Sequence, residues 1–406
     1  MLTAISPPLP VTKQLVSFNR IRAKPTEQFY RPELDVLRFF AFLAVFLHHS
    51  LPGFELGHHS GRLVSVFWFE TLLKESGSFG VCLFFLLSAY LITELLQRER
   101  DRTGKINLGS FYLRRILRIW PLYFLFLFCG VVIGRLFGPY RIEGARLCAF
   151  LLLAGNWYVA AVGCGASPIA PLWSISLEEQ FYLVWPWIAK WMKKEIMFGF
   201  SLLLVPISWL AFARLVHGGA HADRTVWVNS FVQFQFFGLG AVLALTLKGR
   251  TLRLSSIVRA ALLSAGITAW LTAQGLYHIK DEGAVPHVQS LIFGYTMVAI
   301  GCACLFLGFL GMPHQWLSKH LTYLGKISYG LYVFHMLALD FTWKLALYLF
   351  SDLGVLSPPS AVVRSLLIET TALALTIFLA IASYRFLEQP FLRIKQRFAV
   401  VESRTI

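Results

Sequence analysis

Residues 31–50 read RPELDVLRFFAFLAVFLHHS. A charged opening, with Glu33, Asp35 and Arg38, runs directly into an apolar string that ends in two adjacent histidines. Asp35, Arg38, Phe42, Val45 and His49 fall at i, i+3, i+7, i+10 and i+14, which is one stripe of an α-helix. At a rise of 1.5 Å per residue, Arg38 and His49 stand about 16 Å apart along the axis. Such a helix in a bilayer carries its arginine near one surface and its last histidine in the opposite half. An ionisable group at that depth is costly, so His49 is a functional candidate, the alternative being a histidine satisfied by a hydrogen bond within the bundle. His48 lies about 100° away around the helix and reads as structural.

The whole chain agrees with a membrane reading. Of its 406 residues 57% are hydrophobic and 14% charged, against roughly 45–50% and about 25% in soluble domains. That excludes a soluble enzyme and a disordered chain, and the 15% aromatic content suits bilayer interfaces and packed transmembrane helices. The net charge of +16 could suggest nucleic acid, but the Lys and Arg residues cluster in short loops between apolar runs, so the charge reads as topology and no nucleic-acid partner is expected. Six cysteines form no CxxC pair and no zinc spacing, so neither a metal nor a disulfide is expected. Residues 1–34 lack the apolar core of a removable signal peptide, so the first transmembrane helix is expected to act as its own anchor.

Apolar runs near 37–54, 78–97, 117–138, 172–191, 195–217, 228–247, 256–275, 289–310, 329–350 and 361–386 are long enough to span. The run at 146–162 is shorter and ends in a Gly/Cys/Pro loop. Leaving it out of the count puts both termini and every strongly basic loop on one side, with 27 of the 37 Lys and Arg there, as the positive-inside rule asks. Counting it as a span moves the basic C-terminal tail to the outside. The predicted fold is therefore all-α: a polytopic membrane bundle of about ten transmembrane helices with both termini cytoplasmic, and 146–162 re-entrant or interfacial. It divides into a cytoplasmic tail (1–34), one membrane domain (35–391) and a basic cytoplasmic tail (392–406).

Three further strings carry chemistry. In FYLRRILRIWPLYF, Arg114 and Arg118 are one turn apart and present forked donors suited to phosphate, while a topogenic or lipid-contacting cluster is the competing reading. In PLWSISLEEQFYLVWP, Glu178 and Glu179 lie inside an apolar run and point to different sides, so at least one faces the bundle interior or a water-filled cavity, as a proton acceptor or in an ion pair. In LGKISYGLYVFHM, Tyr332 and His335 are i, i+3. His335 and Asp340 match an H-x4-D pattern, but five residues along a helix rotate about 140°, so they form no dyad.

Six strings in order, LDVLRFFAFLAVFLHH, GVCLFFLLSAYLI, FYLRRILRIWPLY, PLWSISLEEQFYLVWP, LGKISYGLYVFH and YRFLEQP, resemble the acyltransferase-3 family of bacterial integral-membrane O-acyltransferases. The resemblance covers nearly the whole chain. It implies acyl-CoA, commonly acetyl-CoA, as donor, a carbohydrate or small-molecule hydroxyl as acceptor, and the bacterial inner membrane as location. It also implies roles: His49 as base, with Asp35, Arg38 and Glu178 in the catalytic group; Arg114 and Arg118 at the nucleotide end of acyl-CoA, with Ser88 on the donor side; and Trp173, Tyr332 and His335 toward the acceptor. Ala89 stands where the family usually has glycine, which bears on how closely another helix can approach. LEQPF (387–391) resembles the family's C-terminal E-x-P signature, and the hydrolase-like periplasmic domain of some relatives is not expected, since the chain ends 16 residues after Pro390.

The resulting expectation is that CoA phosphates rest on Arg114 and Arg118 while the pantetheine arm reaches about 16 Å toward His49. His49 deprotonates an acceptor arriving from outside, a task suited to a neutral imidazole, and Glu178, Arg38 or Tyr332 orients it or stabilises the oxyanion. An acyl-histidine intermediate is the competing route. A transporter of lipid-linked sugar or small solute is the rival class; it would share buried ionisable groups but usually shows internal repeats, which this sequence lacks.

Overall fold

A computed structural model describes residues 29–51, 62–165, 167, 169–220, 225–280, 286–352, 361–398 and 401. Regular structure among them is helical throughout: α1 (Pro32–Ser50), α2 (Arg62–Gly77), α3 (Gly80–Thr103), α4 (Leu108–Leu136), α5 (Gly144–Leu151), α6 (Gly155–Val162), α7 (Leu172–Trp191), α8 (Lys194–His217), α9 (Ser230–Leu247), α10 (Ser256–Tyr277), α11 (Val288–Phe309), α12 (Lys319–Lys326), α13 (Ser328–Leu347), α14 (Ala361–Ser383) and α15 (Gln389–Gln396). Residues 52–54 of the first expected span, residues 1–28 of the expected N-terminal tail, and 399–400 and 402–406 of the expected C-terminal tail lie outside the described residues.

Eight helices or helix pairs among the described residues are long and apolar enough to cross a membrane. The expected spans at 37–54 and 172–191 fall on α1 and α7, which have comparable lengths of 19 and 20 residues. Their apolar content is diluted by Glu33, Asp35 and Arg38 in one and by Glu178, Glu179 and Gln180 in the other. Of the ten expected spans these two fall outside the eight; both carry candidate site residues, and ionisable groups inside a membrane helix are costly.

Three segments differ from the sequence reading. Residues 62–77, passed over because Glu70, Lys74 and Glu75 interrupt them, form α2 and pack against α1 and α10. The loop expected at 311–328 contains α12, an amphipathic helix laid against α1. The expected C-terminal tail begins as α15, which packs on α4. The 146–162 run divides into α5 and α6 around Leu153, whose φ is +56°. Each is eight residues long, about 12 Å, too short to cross alone.

The centre of the bundle is α3, packed by α1, α7, α9 and α11. In the apolar window of its candidate span 83% of residues are buried, against 28% for α8 or α10. Those peripheral helices display Leu210 and Ile257 outward, the surface a lipid-facing helix needs. The close fit around α3 comes from small residues. Gly240 of α9 faces Ala89, and a Cβ added to it would lie 2.9 Å from the Ala89 Cβ and in collision with the Leu86 carbonyl. The close approach that the missing glycine at 89 put in question is supplied by the glycine on the opposite helix.

Candidate functional site

Local sequence sets the entry to the site. Helix α3 stops at Gly104 in the left-handed region (φ +73°), and Asn107 caps α4 by accepting the Ser110 N–H at 3.0 Å, the usual chemistry of a helix end followed by a helix start. This short turn brings Glu99 back to the first coil of α4. There Glu99 accepts the Asn107 N–H at 2.8 Å and pairs with Arg114 at 3.0 Å.

Four helices, α1, α3, α7 and α13, line two cavities that follow one another along the bundle. The first, of about 130 Å³, lies at the start of α1 and is lined by Asp35, Arg38, Ser88, Arg118, Glu178 and Tyr332 among the expected residues. Arg31, Arg115 and Lys395 add to its positive charge. The second, of about 340 Å³, lies at the end of α1, where His48, His49, Trp173 and Tyr332 face it. Val81 and Tyr332 line both cavities and form the wall between them.

Helical periodicity delivers these faces. Ser174, Glu178 and Tyr182 repeat every four residues on α7 and line the first cavity, whereas Glu179, about 100° away, accepts the Trp120 indole N–H at 3.1 Å. Glu178 accepts the hydroxyl of Tyr182. On α13, Ser328 and Tyr332 meet the first cavity while Tyr332, Met336 and Asp340 meet the second, one stripe serving both.

At the start of α1, Asp35 is buried and lies 3.6 Å from the Arg38 guanidinium. Its backbone is pressed against Gly325 of α12, where any Cβ would collide with the Asp35 carbonyl. At the other end His49 is exposed to the second cavity and its Nδ1 lies 2.9 Å from the Val45 carbonyl. A carbonyl only accepts, so Nδ1 carries the proton and Nε2 presents its lone pair. The ring of His335 meets that of His49 edge-on at 5.1 Å, and that of Tyr332 at 5.4 Å. His335 itself is fully buried, lines neither cavity, and is fixed by its Nδ1 to the Tyr332 carbonyl at 2.5 Å.

The structure thus brings Asp35, Arg38, Ser88, Arg118, Glu178 and Tyr332 together around one cavity and His49, Trp173 and Tyr332 around the next. It separates Arg114, which is held by Glu99 and by the Phe398 carbonyl at 2.8 Å, from both. The neighbour that faces the cavity is Arg115. It meets the rings of Tyr182 at 5.4 Å and Phe111 at 5.6 Å and forms no ion pair among the described residues. Sequence reasoning missed Arg115 because i, i+3 and i, i+4 both share a face with Arg118. The signal that could have found it is Glu99, an acid at the end of an apolar helix in need of a partner. Trp227 and Tyr140 of the second cavity were also missed, and Asp340, set aside as a dyad partner of His335, lines that cavity too. Tyr140 donates to Asp340 at 2.5 Å across 200 residues of chain, a pairing with no local pattern. No group of three or more His, Cys, Asp or Glu able to hold a metal occurs among the described residues.

Residues 31–385 match the acyltransferase-3 family model, described as an acyltransferase domain. Two similar proteins are the O-acetyltransferase OatA of Staphylococcus aureus strains NCTC 8325 and COL, each 26% identical over 382 residues, covering 89% of this chain and 57% of the relative. The chain spans less than three fifths of the length of the curated relatives it matches, 59% at most among the most similar. No solved structure matches it significantly.

Proposed function

The chain belongs to the acyltransferase-3 family, and from that premise we propose that it is a ten-span, multi-pass membrane enzyme of the bacterial inner membrane with cytoplasmic termini. It moves an acyl group, acetyl in the first instance, from cytoplasmic acyl-CoA to a hydroxyl of a cell-surface carbohydrate or related acceptor. The observation that carries this reading is the pair of cavities meeting at Tyr332 and Val81. One is rich in guanidinium groups and the other holds a polarised imidazole.

The first cavity opens to the cytoplasm and receives the donor. Arg115 and Arg118, with Arg31 and Lys395 beside them, supply planar, permanently charged donors for the phosphates of CoA. Ser88 and the Arg38–Asp35 pair line the path of the pantetheine arm. The thioester reaches the wall between the cavities, within range of the outer half of α1.

The second cavity receives the acceptor from the outer side. Trp173 and Trp227 offer flat apolar faces, and Asp340 and Tyr140 offer hydrogen-bonding groups, the composition of a site for a polyhydroxylated ring. His49 Nε2 takes the proton of the attacking hydroxyl, since its Nδ1–H is committed to Val45. The oxygen bonds to the thioester carbon, the C–S bond breaks, and the imidazolium returns the proton to the departing CoA thiolate. Glu178 holds Tyr182, while His335 packs behind the His49 ring and keeps it from turning away.

The test is release of CoA thiol from acetyl-CoA, with the acyl group passing to a supplied carbohydrate hydroxyl or to water, by the purified protein in detergent or proteoliposomes. Turnover that disappears in His49→Ala supports the transferase. Movement of a lipid-linked sugar or small solute across the membrane without CoA turnover would overturn it in favour of a transporter.

A further inference from the structure

Tyr332 is nearly buried, lines both cavities and places its hydroxyl 2.7 Å from Ser174 Oγ on the facing helix α7. Ser174 Oγ also lies 3.1 Å from the Pro171 carbonyl, which in turn receives the Ser174 backbone N–H at 3.4 Å. A carbonyl has no proton to give, so in the resting arrangement the serine proton points to Pro171 and the tyrosine proton points to Ser174. A second arrangement of the same atoms is available. If the Tyr332 proton turns into the cavity, the serine proton can turn to the Tyr332 oxygen, and Pro171 keeps the backbone N–H of Ser174.

We propose that Tyr332 is the hydrogen-bond donor to the thioester carbonyl oxygen, and that Ser174 is the positioning residue that holds the phenol and follows it with its own proton. The inference rests on the transferase reading and adds the group that stabilises its transition state. When the acceptor oxygen bonds to the thioester carbon, the carbonyl electron pair moves onto oxygen and the O–H of Tyr332 meets it. When the C–S bond breaks the pair returns, CoA leaves as thiol with the proton from His49, and the phenol swings back to Ser174. No proton is lost by Tyr332 at any stage.

Placement favours this assignment. The carbonyl must lie where donor and acceptor meet, and Tyr332 and Val81 are the side chains shared by the two cavities. Only Tyr332 of the two carries a donor. Its ring is clamped by Phe84 at 6.0 Å and His335 at 5.4 Å, so the hydroxyl proton can rotate while the oxygen stays put, which is what a preorganised donor requires. A serine donating to the phenol oxygen at the same moment strengthens the phenol as a donor.

The experiment measures thiol release from acetyl-CoA, with a carbohydrate hydroxyl supplied as acceptor, by this 406-residue chain in proteoliposomes. Tyr332→Phe is expected to lower kcat on the order of 10²–10³-fold with KM for acetyl-CoA unchanged. Ser174→Ala is expected to lower kcat roughly three- to tenfold, Ser174→Thr to restore most of it, and the double variant to be no slower than Tyr332→Phe. Losses that multiply in the double variant, a KM effect in place of a kcat effect, or a Tyr332→Phe enzyme within threefold of the parent would overturn the proposal. Turnover within threefold of the parent in Tyr332→Phe that vanishes in His49→Ala rejects this inference alone, whereas absence of turnover in the parent protein rejects the transferase reading and this inference with it.

Discussion

Arg114 lies 3.0 Å from Glu99, a carboxylate 4% exposed near the end of α3, and this pair turns Arg114 away from the cavity that Arg115 and Arg118 line. The two adjacent guanidiniums therefore have separate tasks. Arg114→Ala leaves Glu99 buried without its cation and is expected to cost about 1–3 kcal/mol, seen as a lower melting temperature in detergent with KM for acyl-CoA little changed. Arg115→Ala is expected to do the reverse, raising that KM several-fold at unchanged melting temperature. The same effect on KM from both variants would contradict the division.

Gly325 seats α12 on α1 beside the buried Asp35. A methyl group there cannot be absorbed by a flexible side chain, because backbone stands in its way. Gly325→Ala is therefore expected to lower stability by about 1–3 kcal/mol and to reduce CoA release by shifting Asp35 and Arg38. Gly144→Ala, whose added Cβ meets nothing within 4 Å, serves as the matched control and should leave both measurements intact.

Sidedness can be read from a native thiol. Cys164 is exposed and lines the cavity that holds His49, so the proposed orientation puts it outside. In a Cys129→Ser, Cys148→Ser, Cys304→Ser background, a membrane-impermeant maleimide should label Cys164 in right-side-out vesicles and spare it in inverted ones. Lys248→Cys combined with Cys164→Ser should show the opposite pattern, because Gly249 beside it accepts from Arg31 at the other end of α1. Reversed labelling would invert the topology.

Direct transfer and a covalent acyl-histidine differ in what remains on the protein. With the two cavities adjoining at Tyr332, donor and acceptor can meet without a carrier. Protein quenched after exposure to radiolabelled acetyl-CoA in the absence of an acceptor should therefore retain no label. Label lost on substitution of His49 would establish the two-step route instead.

The helical class and most helix positions were legible in the sequence because apolar runs of bilayer length and the 3.6-residue period are local properties. The α1 stripe was legible for the same reason: Asp35, Arg38 and His49 needed only the helix they share. Helix α2 escaped because its charges break the hydropathy signal. Arg115 escaped because two spacings on α4 share a face with Arg118.

By itself, then, the sequence determined that this chain is a bundle of membrane helices with charge held at the start of α1 and inside α7, and which residues of each helix lie on a common face. The tertiary structure decided which of those faces meet. Glu99 captures Arg114, Gly240 makes room for Ala89, and Tyr332 of α13 reaches Ser174 of α7 across 158 residues of chain. Periodicity fixes the direction of a side chain about its own axis, whereas a partner is fixed by the packing of helices distant in sequence, and a cavity exists only between them.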